Sequence, residues 1–146
     1  MRLRSATAWC FCCTGRAALA MPPAPRAAQN PTAARLKQLF ATHPFDEAAW
    51  GTAAAADLHV RIGNAAPVVG RDPALGELRR FFARVDSIGS GFCEMCRVRE
   101  TIFAEMEVDF TDEAGGGRRI PCTVVARVAG GRVLDIRLHL DPSPIP

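Results

Sequence analysis

Residues 101–141 decide the fold, and they read TIFAEMEVDFTDEAGGGRRIPCTVVARVAGGRVLDIRLHLD. Apolar and polar side chains alternate in the first and last runs and more loosely in the middle run. Glycine-rich breaks separate the three runs. Alternation with a period of two is typical of strands that bury one face. The stretch therefore predicts a three-stranded antiparallel meander with one buried face and one solvent-exposed face.

The same alternation assigns the side chains to the two faces of the predicted meander. The buried face takes Ile102, Ala104, Met106, Val108, Phe110, Ile120, Cys122, Val124, Ala126, Val128, Leu134, Ile136, Leu138 and Leu140. The outer face takes Glu105, Glu107, Asp109, Thr123, Arg127, Asp135, Arg137, His139 and Asp141. A shift of one residue would exchange the two sets, but burying several unpaired carboxylates would be very costly. We therefore expect the acids and arginines to pair across neighbouring strands on the outside.

Upstream of the meander, helical spacing and strand alternation follow one another. A first helix is predicted from Pro31 to just before His43, and a second from Pro44 through an alanine-rich run to Ala56. Residues 58–63 alternate and predict a strand, and residues 68–69 predict a short one.

A third helix is predicted after the short strand, with Asp72 as its cap and Pro73 as its first residue. Its buried stripe is Leu75, Leu78, Phe82 and Val85, and its solvated side holds Arg79, Arg80 and Arg84. Residues 87–91 are predicted to be a flexible link and residues 92–99 a strand. Helices first and a meander afterwards indicate an α+β fold with helices on one face of a curved sheet.

Residues 1–30 differ from the rest of the chain, because they contain no acid and include a proline-rich run at 22–25. A basic start and an apolar stretch are features of a targeting segment, although Gly15 and Arg16 interrupt the apolar region. Alternatively, translation starts at Met21. Both interpretations exclude residues 1–30 from the fold and leave one domain over residues 31–146.

The charge of the chain argues against several classes of partner. There are 18 basic and 15 acidic residues, and three of the arginines lie within the first 20 residues. The remaining chain is neutral, so we expect neither nucleic acid nor a membrane surface as a partner. No apolar run approaches the ~20 residues that cross a bilayer.

The cysteines predict neither a metal site nor a disulfide framework. Three of the six lie within residues 10–13, where no histidine is near. Cys93 and Cys96 are three residues apart, which places them on opposite sides of a strand, and Cys122 is expected to be a small apolar side chain. We therefore expect no metal, no cofactor and a reduced, cytoplasmic protein.

Three segments of the chain follow one another in an order and spacing seen in one known family. They are the helix–helix–strand opening that ends in Gly70-Arg71-Asp72, the run EMEVDFTD with a glycine turn and IPC over residues 105–122, and GGRVLDIRLHLDPSP over residues 130–144. Together they resemble the SnoaL-like proteins of the nuclear transport factor 2-like superfamily. The resemblance covers roughly residues 31–145, and no single motif in it is specific.

This resemblance implies a cone-shaped α+β barrel, in which a curved antiparallel sheet packs against three helices from the N-terminal half. It also implies a pocket between the sheet and the helices, and often a dimer. Relatives include polyketide cyclases, ketosteroid isomerases, limonene-epoxide hydrolases and many non-enzymes, so the fold leaves the function open.

The positions that carry catalytic groups in the enzymatic relatives match apolar residues here. The resemblance places the limonene-epoxide hydrolase groups at Met106, Val108, Leu138, Val60 and Ile62. Ketosteroid isomerases use a tyrosine in their oxyanion hole, and this chain has none. The acid or base of the polyketide cyclases matches Leu138 again. The sequence therefore predicts that the known catalytic residues are absent.

Three polar residues remain as catalytic candidates. His59 alternates to the polar side of the first strand, and His139 stands where the family often has an aromatic residue. Asp141 matches the closing aspartate of the family, and we expect it to fix the end of the chain.

Three functional hypotheses remain open. In the first, the domain binds a small hydrophobic molecule without catalysis, in an apolar pocket lined by Trp50, Val60, Ile62, Phe82, Met106, Val108, Phe110 and Leu138. In the second, it is a cyclase-type or isomerase-type enzyme, and a polar group projecting into the pocket would favour this. In the third, it is an assembly module, and a pocket filled by its own side chains would favour that. A homodimer through the convex sheet face is expected.

Overall fold

The computed structural model describes residues 31–89 and 94–146. The helices are α1 (Pro31–Ala41), α2 (Glu47–Ala53) and α3 (Arg71–Phe82). The strands are β1 (Ala54–Ile62), β2 (Val68–Val69), β3 (Ser87–Ile88), β4 (Glu94–Val98), β5 (Thr101–Thr111), β6 (Gly117–Ala129) and β7 (Arg132–His139). None of the described helices is long and apolar enough to cross a membrane.

The strands form one strongly curled sheet, a half-barrel closed by the three helices. The strand order is β2-β1-β7-β6-β5-β3. Strand β3 pairs with Val108 and Asp109 of β5, and β4 pairs with residues 101–105 of the same strand. The predicted meander is present as the antiparallel strands β5, β6 and β7. In contrast to the wholly antiparallel expectation, β1 runs parallel to β7, so the sheet is mixed. The α+β cone is confirmed.

The predicted assignment of side chains to the inner and outer faces is confirmed along β5 and β6. The inward side chains of both strands form one hydrophobic core with the helices. The exception lies in β7, where a register irregularity follows Arg127. The irregularity turns Val133 inward, where it is 3% exposed. Leu134 is half-buried. The prediction that Leu134 faces the core was therefore wrong, because a bulge shifts the alternation by one residue.

The second helix is shorter than the sequence predicts. Asp46 caps it, since its carboxylate accepts the backbone N–H of Ala49 at 2.9 Å, and α2 ends at Ala53. The alanines at 54–56 belong to β1 instead, and Ala54 is in register with Val133 of β7. Pairing with a central strand outweighs the helix propensity of alanine, which is worth less than about 1 kcal/mol per residue.

The third helix begins differently from the prediction. Gly70, at φ 100°, occupies the cap position without a side-chain hydrogen bond, and Asp72 lies within the first turn. Arg84 lies beyond the helix and is more than a solvated side chain. Its guanidinium donates to the carbonyls of Ile145 and Pro146 at 2.5 Å each, which holds the C-terminal segment.

The predicted flexible link is partly ordered as a strand. Ser87 and Ile88 form β3, which is in antiparallel register with Asp109 and Val108. Residues 90–93, which include the predicted link end and Cys93, lie outside the described residues.

Gly63 closes β1 in a conformation that favours glycine, with φ at 56°. A Cβ there would lie 2.9 Å from Cδ of Pro142 and 3.2 Å from the carbonyl oxygen of Leu140. We expect Gly63→Ala to lower the free energy of unfolding by about 1–3 kcal/mol, measured by urea denaturation. The matched control is Gly51→Ala in α2, where a Cβ meets nothing within 4 Å. That substitution should raise stability by about 0.5–1 kcal/mol, and equal effects at both glycines would contradict the prediction.

Candidate functional site

The residues predicted to line a pocket come together in the interior of the cone, between the sheet and the helices. They are Trp50, Val60, Ile62, Phe82, Met106, Val108, Phe110 and Leu138. Each is at most 7% exposed, and all belong to the same core. None of them lines the surface cavities beside Ser143, Phe103, Thr42, Val125 and His59. The low exposure of their side chains closes them off from solvent.

An aromatic cluster, formed by Phe40, His43, Phe45, Trp50 and Phe82, joins the three helices. Phe82 contacts Phe45 edge-on at 5.2 Å between ring centroids, and Phe40 contacts Trp50 edge-on at 5.2 Å. Phe45 stacks on Trp50 at 6.0 Å, and His43 stacks on Phe82 at 6.4 Å. The sequence indicated Trp50 and Phe82 as interior residues but not the part of His43 and Phe45, which precede α2.

The burial of the cluster is graded from the core to the surface. Phe40, Trp50 and Phe82 are at most 1% exposed. Phe45 is half-buried and His43 is exposed, so these two form the rim of the cluster between α1 and α2.

Trp50 carries the one polar side-chain atom that is buried and unpartnered in the described part of the chain. Its indole Nε1 is inaccessible to solvent and has no hydrogen-bond partner there. A buried donor without an acceptor costs about 1–3 kcal/mol in lost hydration. A hydrogen-bond acceptor placed beside this indole N–H would therefore remove that cost.

The rest of the interior is apolar. No polar or charged residue is buried among residues 31–89 and 94–146. Cys122 is buried on β6, and its burial raises the pKa of the thiol to about 12. The thiol is therefore protonated at neutral pH and is a poor nucleophile. Cys96, by contrast, is exposed.

The three polar catalytic candidates lie outside this interior. His59 is exposed on β1 with Asp135 as its register neighbour, and His139 is exposed on β7 opposite Thr123. Asp141 is also exposed. It accepts hydrogen bonds from the hydroxyl and the backbone N–H of Ser143, which lower the pKa of its carboxyl. The structure does not bring the three together.

Several charged residues of the outer face form ion pairs along and across the strands. Arg119 on β6 contacts Asp109 at 2.6 Å and Glu107 at 3.1 Å, both on β5. Arg137 contacts Asp135 of the same strand at 2.9 Å. Within the described ranges, no group of three or more His, Cys, Asp or Glu residues is arranged to hold a metal ion.

The comparisons with known proteins show the fold. No protein-family model and no curated protein matches the sequence. A putative SnoaL-like polyketide cyclase from Jannaschia sp. CCS1 aligns with TM-score 0.65 and 12% identity, over 75% of this chain and 85% of that one.

Two further solved structures agree with this alignment. A hypothetical protein with a ketosteroid isomerase-like fold from Catenulispora acidiphila DSM 44928, in complex with trimethylamine, has TM-score 0.65 and 15% identity, over 79% and 88% of the two chains. A nuclear transport factor 2-like protein of unknown function from Burkholderia pseudomallei has TM-score 0.64 and 18% identity, over 77% and 89%. The chain thus has the α+β cone fold of the nuclear transport factor 2-like superfamily, the fold of SnoaL-like and ketosteroid isomerase-like domains.

Proposed function

We propose that this domain binds a small, mainly apolar molecule between its sheet and helices, at the aromatic cluster. The observation that carries the proposal is the indole Nε1 of Trp50, a buried donor without a partner in the described interior. An interior that is otherwise apolar suits a ligand whose surface is also apolar. The missing acceptor for Trp50 would be supplied by the ligand.

Binding in this interior requires the aromatic cluster to open, because its inner members Phe40, Trp50 and Phe82 are at most 1% exposed. The rim residues Phe45 and His43 are the members that can move at the lowest cost, since they already lie partly or largely in solvent. A ligand that enters at this rim reaches Trp50 directly, because Phe45 stacks on it.

The chemistry of the interior defines the class of ligand. An ionised group would be left without a counter-charge there, which is very costly in an apolar site. A neutral molecule with one carbonyl or hydroxyl oxygen satisfies the indole N–H and leaves its own apolar surface against the core. The absence of a buried acid or base among the described residues supports binding rather than acid–base catalysis.

Solved proteins of the same fold support a ligand-binding role. One neighbour is described as a putative polyketide cyclase, and another was solved with trimethylamine. At 12% and 15% identity, these neighbours share the fold with this chain, and the ligand class proposed here comes from its own interior.

The proposal is tested by NMR on the full chain with two probes of the same shape. Cyclohexanone carries an acceptor, and methylenecyclohexane replaces the carbonyl by a carbon. We expect cyclohexanone to move the indole ¹H–¹⁵N signal of Trp50 toward higher proton frequency, since its oxygen accepts the N–H. Methylenecyclohexane should perturb the core without that displacement. The signal is assigned by its loss in Trp50→Phe.

Ligand binding here would be contradicted if neither probe perturbed the signals of Trp50, Phe82 and Phe45 at millimolar concentration. Equal shifts of the indole signal by both probes would contradict the hydrogen bond from Trp50 to the ligand. Native mass spectrometry of the purified chain adds a second measurement, because a mass that is lost on denaturation would identify a natural ligand.

A second candidate function is assembly, and two observations favour it. The predicted pocket residues are closed off from solvent, and the outer sheet face exposes Phe103, 39% of whose surface is accessible. In this alternative the cone is a scaffold, and a homodimer forms through the outer face. The unpaired thiols of Cys96 and Cys122 support a reducing, cytoplasmic setting for either function.

A further inference from the structure

A cavity of about 510 Å³ lies on the outer face of the sheet, where β7 runs between β1 and β6. Two irregularities of strand register meet beneath it. Between Ala54 and His59, β1 advances five residues while β7 advances two. On the other side of β7, one extra residue, Leu134, lies between the register partners of Arg127 and Val128. Bulges of this kind bend strands and redirect side chains, and they are common beside functional sites.

The bulge in β7 gives the cavity an apolar wall. Leu134 is half-buried and lines the cavity, although strict alternation would turn it to the core. Asp135 and Arg137 line the cavity beside it and pair with each other, with 2.9 Å between Oδ2 and Nη2. Because these two charges neutralise each other, the charge that is free to meet a ligand comes from other groups.

Three further charged side chains line the same cavity, and they are Asp57, Glu100 and Arg127. All three are exposed, and none of them forms an ion pair within residues 31–89 and 94–146. Two carboxylates and one guanidinium leave the cavity with one negative charge in excess when the imidazole of His59 is neutral.

Strand pairing fixes the order of these groups across the sheet. Asp57 is on β1, Leu134 is on β7 and Arg127 is on β6. Glu100 lies in the turn between β4 and β5, and its carbonyl accepts the N–H of Val128 at 2.8 Å, which places it beside β6. Neighbouring strands are about 4.8 Å apart, so about 10 Å separates the strand of Asp57 from the strand of Arg127.

We propose that this cavity binds an amino acid with a second cationic group on an aliphatic side chain, of the lysine or ornithine type. Arg127 binds the α-carboxylate, and Glu100 binds the neighbouring α-ammonium. The aliphatic chain lies over Leu134, and the terminal ammonium meets Asp57. This cavity is separate from the interior, so its occupation does not depend on the ligand proposed for the aromatic cluster.

The charges of the cavity favour this class of ligand over simpler ones. The ligand carries two positive charges and one negative charge, the inverse of the cavity. Arginine suits the carboxylate, because its planar guanidinium donates two parallel hydrogen bonds to it. A diamine would leave Arg127 without a partner, and a neutral amino acid would leave Asp57 without one. A phosphate or dicarboxylate would meet two carboxylates of like charge.

The first test compares three probes on the full chain by NMR at neutral pH and low salt, since salt screens exposed charges. L-lysine carries all three groups, cadaverine lacks the carboxylate, and L-norleucine lacks the terminal ammonium. We expect L-lysine to shift the methyl signals of Leu134 and the side-chain N–H of Arg127, with a dissociation constant of about 1 mM or lower. Each of the other probes should bind at least about tenfold more weakly. Leu134→Val and Arg127→Gln assign the signals by their loss.

The second test assigns the two ends of the cavity. Arg127→Gln should weaken L-lysine binding about tenfold and should not weaken cadaverine, which has no carboxylate. Asp57→Asn should weaken both by about tenfold and leave L-norleucine unchanged. Arg119→Gln is the matched control, because it removes the same charge from β6 where the guanidinium pairs with Asp109 and Glu107. Circular dichroism checks that each variant retains the fold.

Three results would overturn this site. In the first, L-lysine at about 10 mM moves neither the Leu134 nor the Arg127 signals. In the second, the three probes bind equally. In the third, Arg119→Gln weakens L-lysine as much as Arg127→Gln does, so that the overall charge of the face attracts the ligand. The indole signal of Trp50 reports on the interior separately, so a failure here leaves the cyclohexanone test unaffected.

Discussion

Phe82→Ala is expected to lower the free energy of unfolding by about 3–5 kcal/mol, the range measured for large aromatic residues truncated in cores. Phe82 is 1% exposed. Its ring touches the rings of Phe40, His43, Phe45 and Trp50, with centroids 5.2–6.5 Å apart. Its removal therefore takes away contacts from α3 to both α1 and α2. Most domains have only about 5–15 kcal/mol of stability in total.

The measurement is urea denaturation followed by circular dichroism, with Phe82→Leu and Val69→Ala as controls. Phe82→Leu keeps most of the volume and should cost clearly less than Phe82→Ala. Val69 is 54% exposed on β2, and its truncation should change stability by less than about 0.5 kcal/mol. A loss below about 1.5 kcal/mol for Phe82→Ala would mean that the cluster collapses easily around the missing ring.

The same variant bears on ligand binding. A cavity lined by apolar side chains stays dry and accepts small apolar molecules. If the aromatic cluster is where a ligand enters, cyclohexanone should recover part of the stability that Phe82→Ala loses, because it binds the folded state alone. No recovery at millimolar cyclohexanone would show that the vacated space is not accessible to the probe.

Sequence alternation predicts well which side chains of a strand face the core, because successive side chains point alternately to the core and to the solvent. Along β5, the five inward residues from Ile102 to Phe110 are at most 2% exposed. The outward acids lie beside arginines, as Asp109 does beside Arg119. A long, strongly alternating run therefore carries enough information to specify both the core and the outer face.

The local sequence pattern predicts the wrong secondary structure where pairing with a distant strand decides the conformation. The alanines at 54–56 have high helix propensity, yet their segment pairs with β7, nearly 80 residues away in the chain. The parallel pairing of β1 with β7 and the bulge at Leu134 are also properties of two strands together. A single strand's sequence contains no sign of its partner's register.

The site is predicted only in part, for a related reason. Periodicity shows that Val60, Met106 and Leu138 point inward, and the structure places all three in the core. Whether inward residues leave a cavity depends on how their volumes fit, which no alternation pattern encodes. The aromatic cluster likewise depends on how α1, α2 and α3 meet, and the segment holding His43 and Phe45 has no helical period.

Val124→Asp is expected to unfold the domain or to cost more than about 5 kcal/mol, and it tests the sheet phase directly. Val124 is inaccessible to solvent at the centre of β6, with Ala104 and Leu138 as its register neighbours. A carboxylate there has no partner, so burial raises its pKa in the folded state. Stability should therefore be greatest below about pH 4 and fall as the pH rises, relative to wild type.

Thr123→Asp is the matched control, because it makes the same side chain one residue away on the exposed face. It adds a charge beside Glu105 and His139 and should change stability by no more than about 1 kcal/mol. Melting curves of the two variants at neutral pH and near pH 4 provide the comparison. If both aspartates were tolerated equally, the inward face of β6 would be wet, and the apolar interior on which the binding proposal rests would be absent. If Thr123→Asp were the damaging one, the phase of the sheet would be reversed.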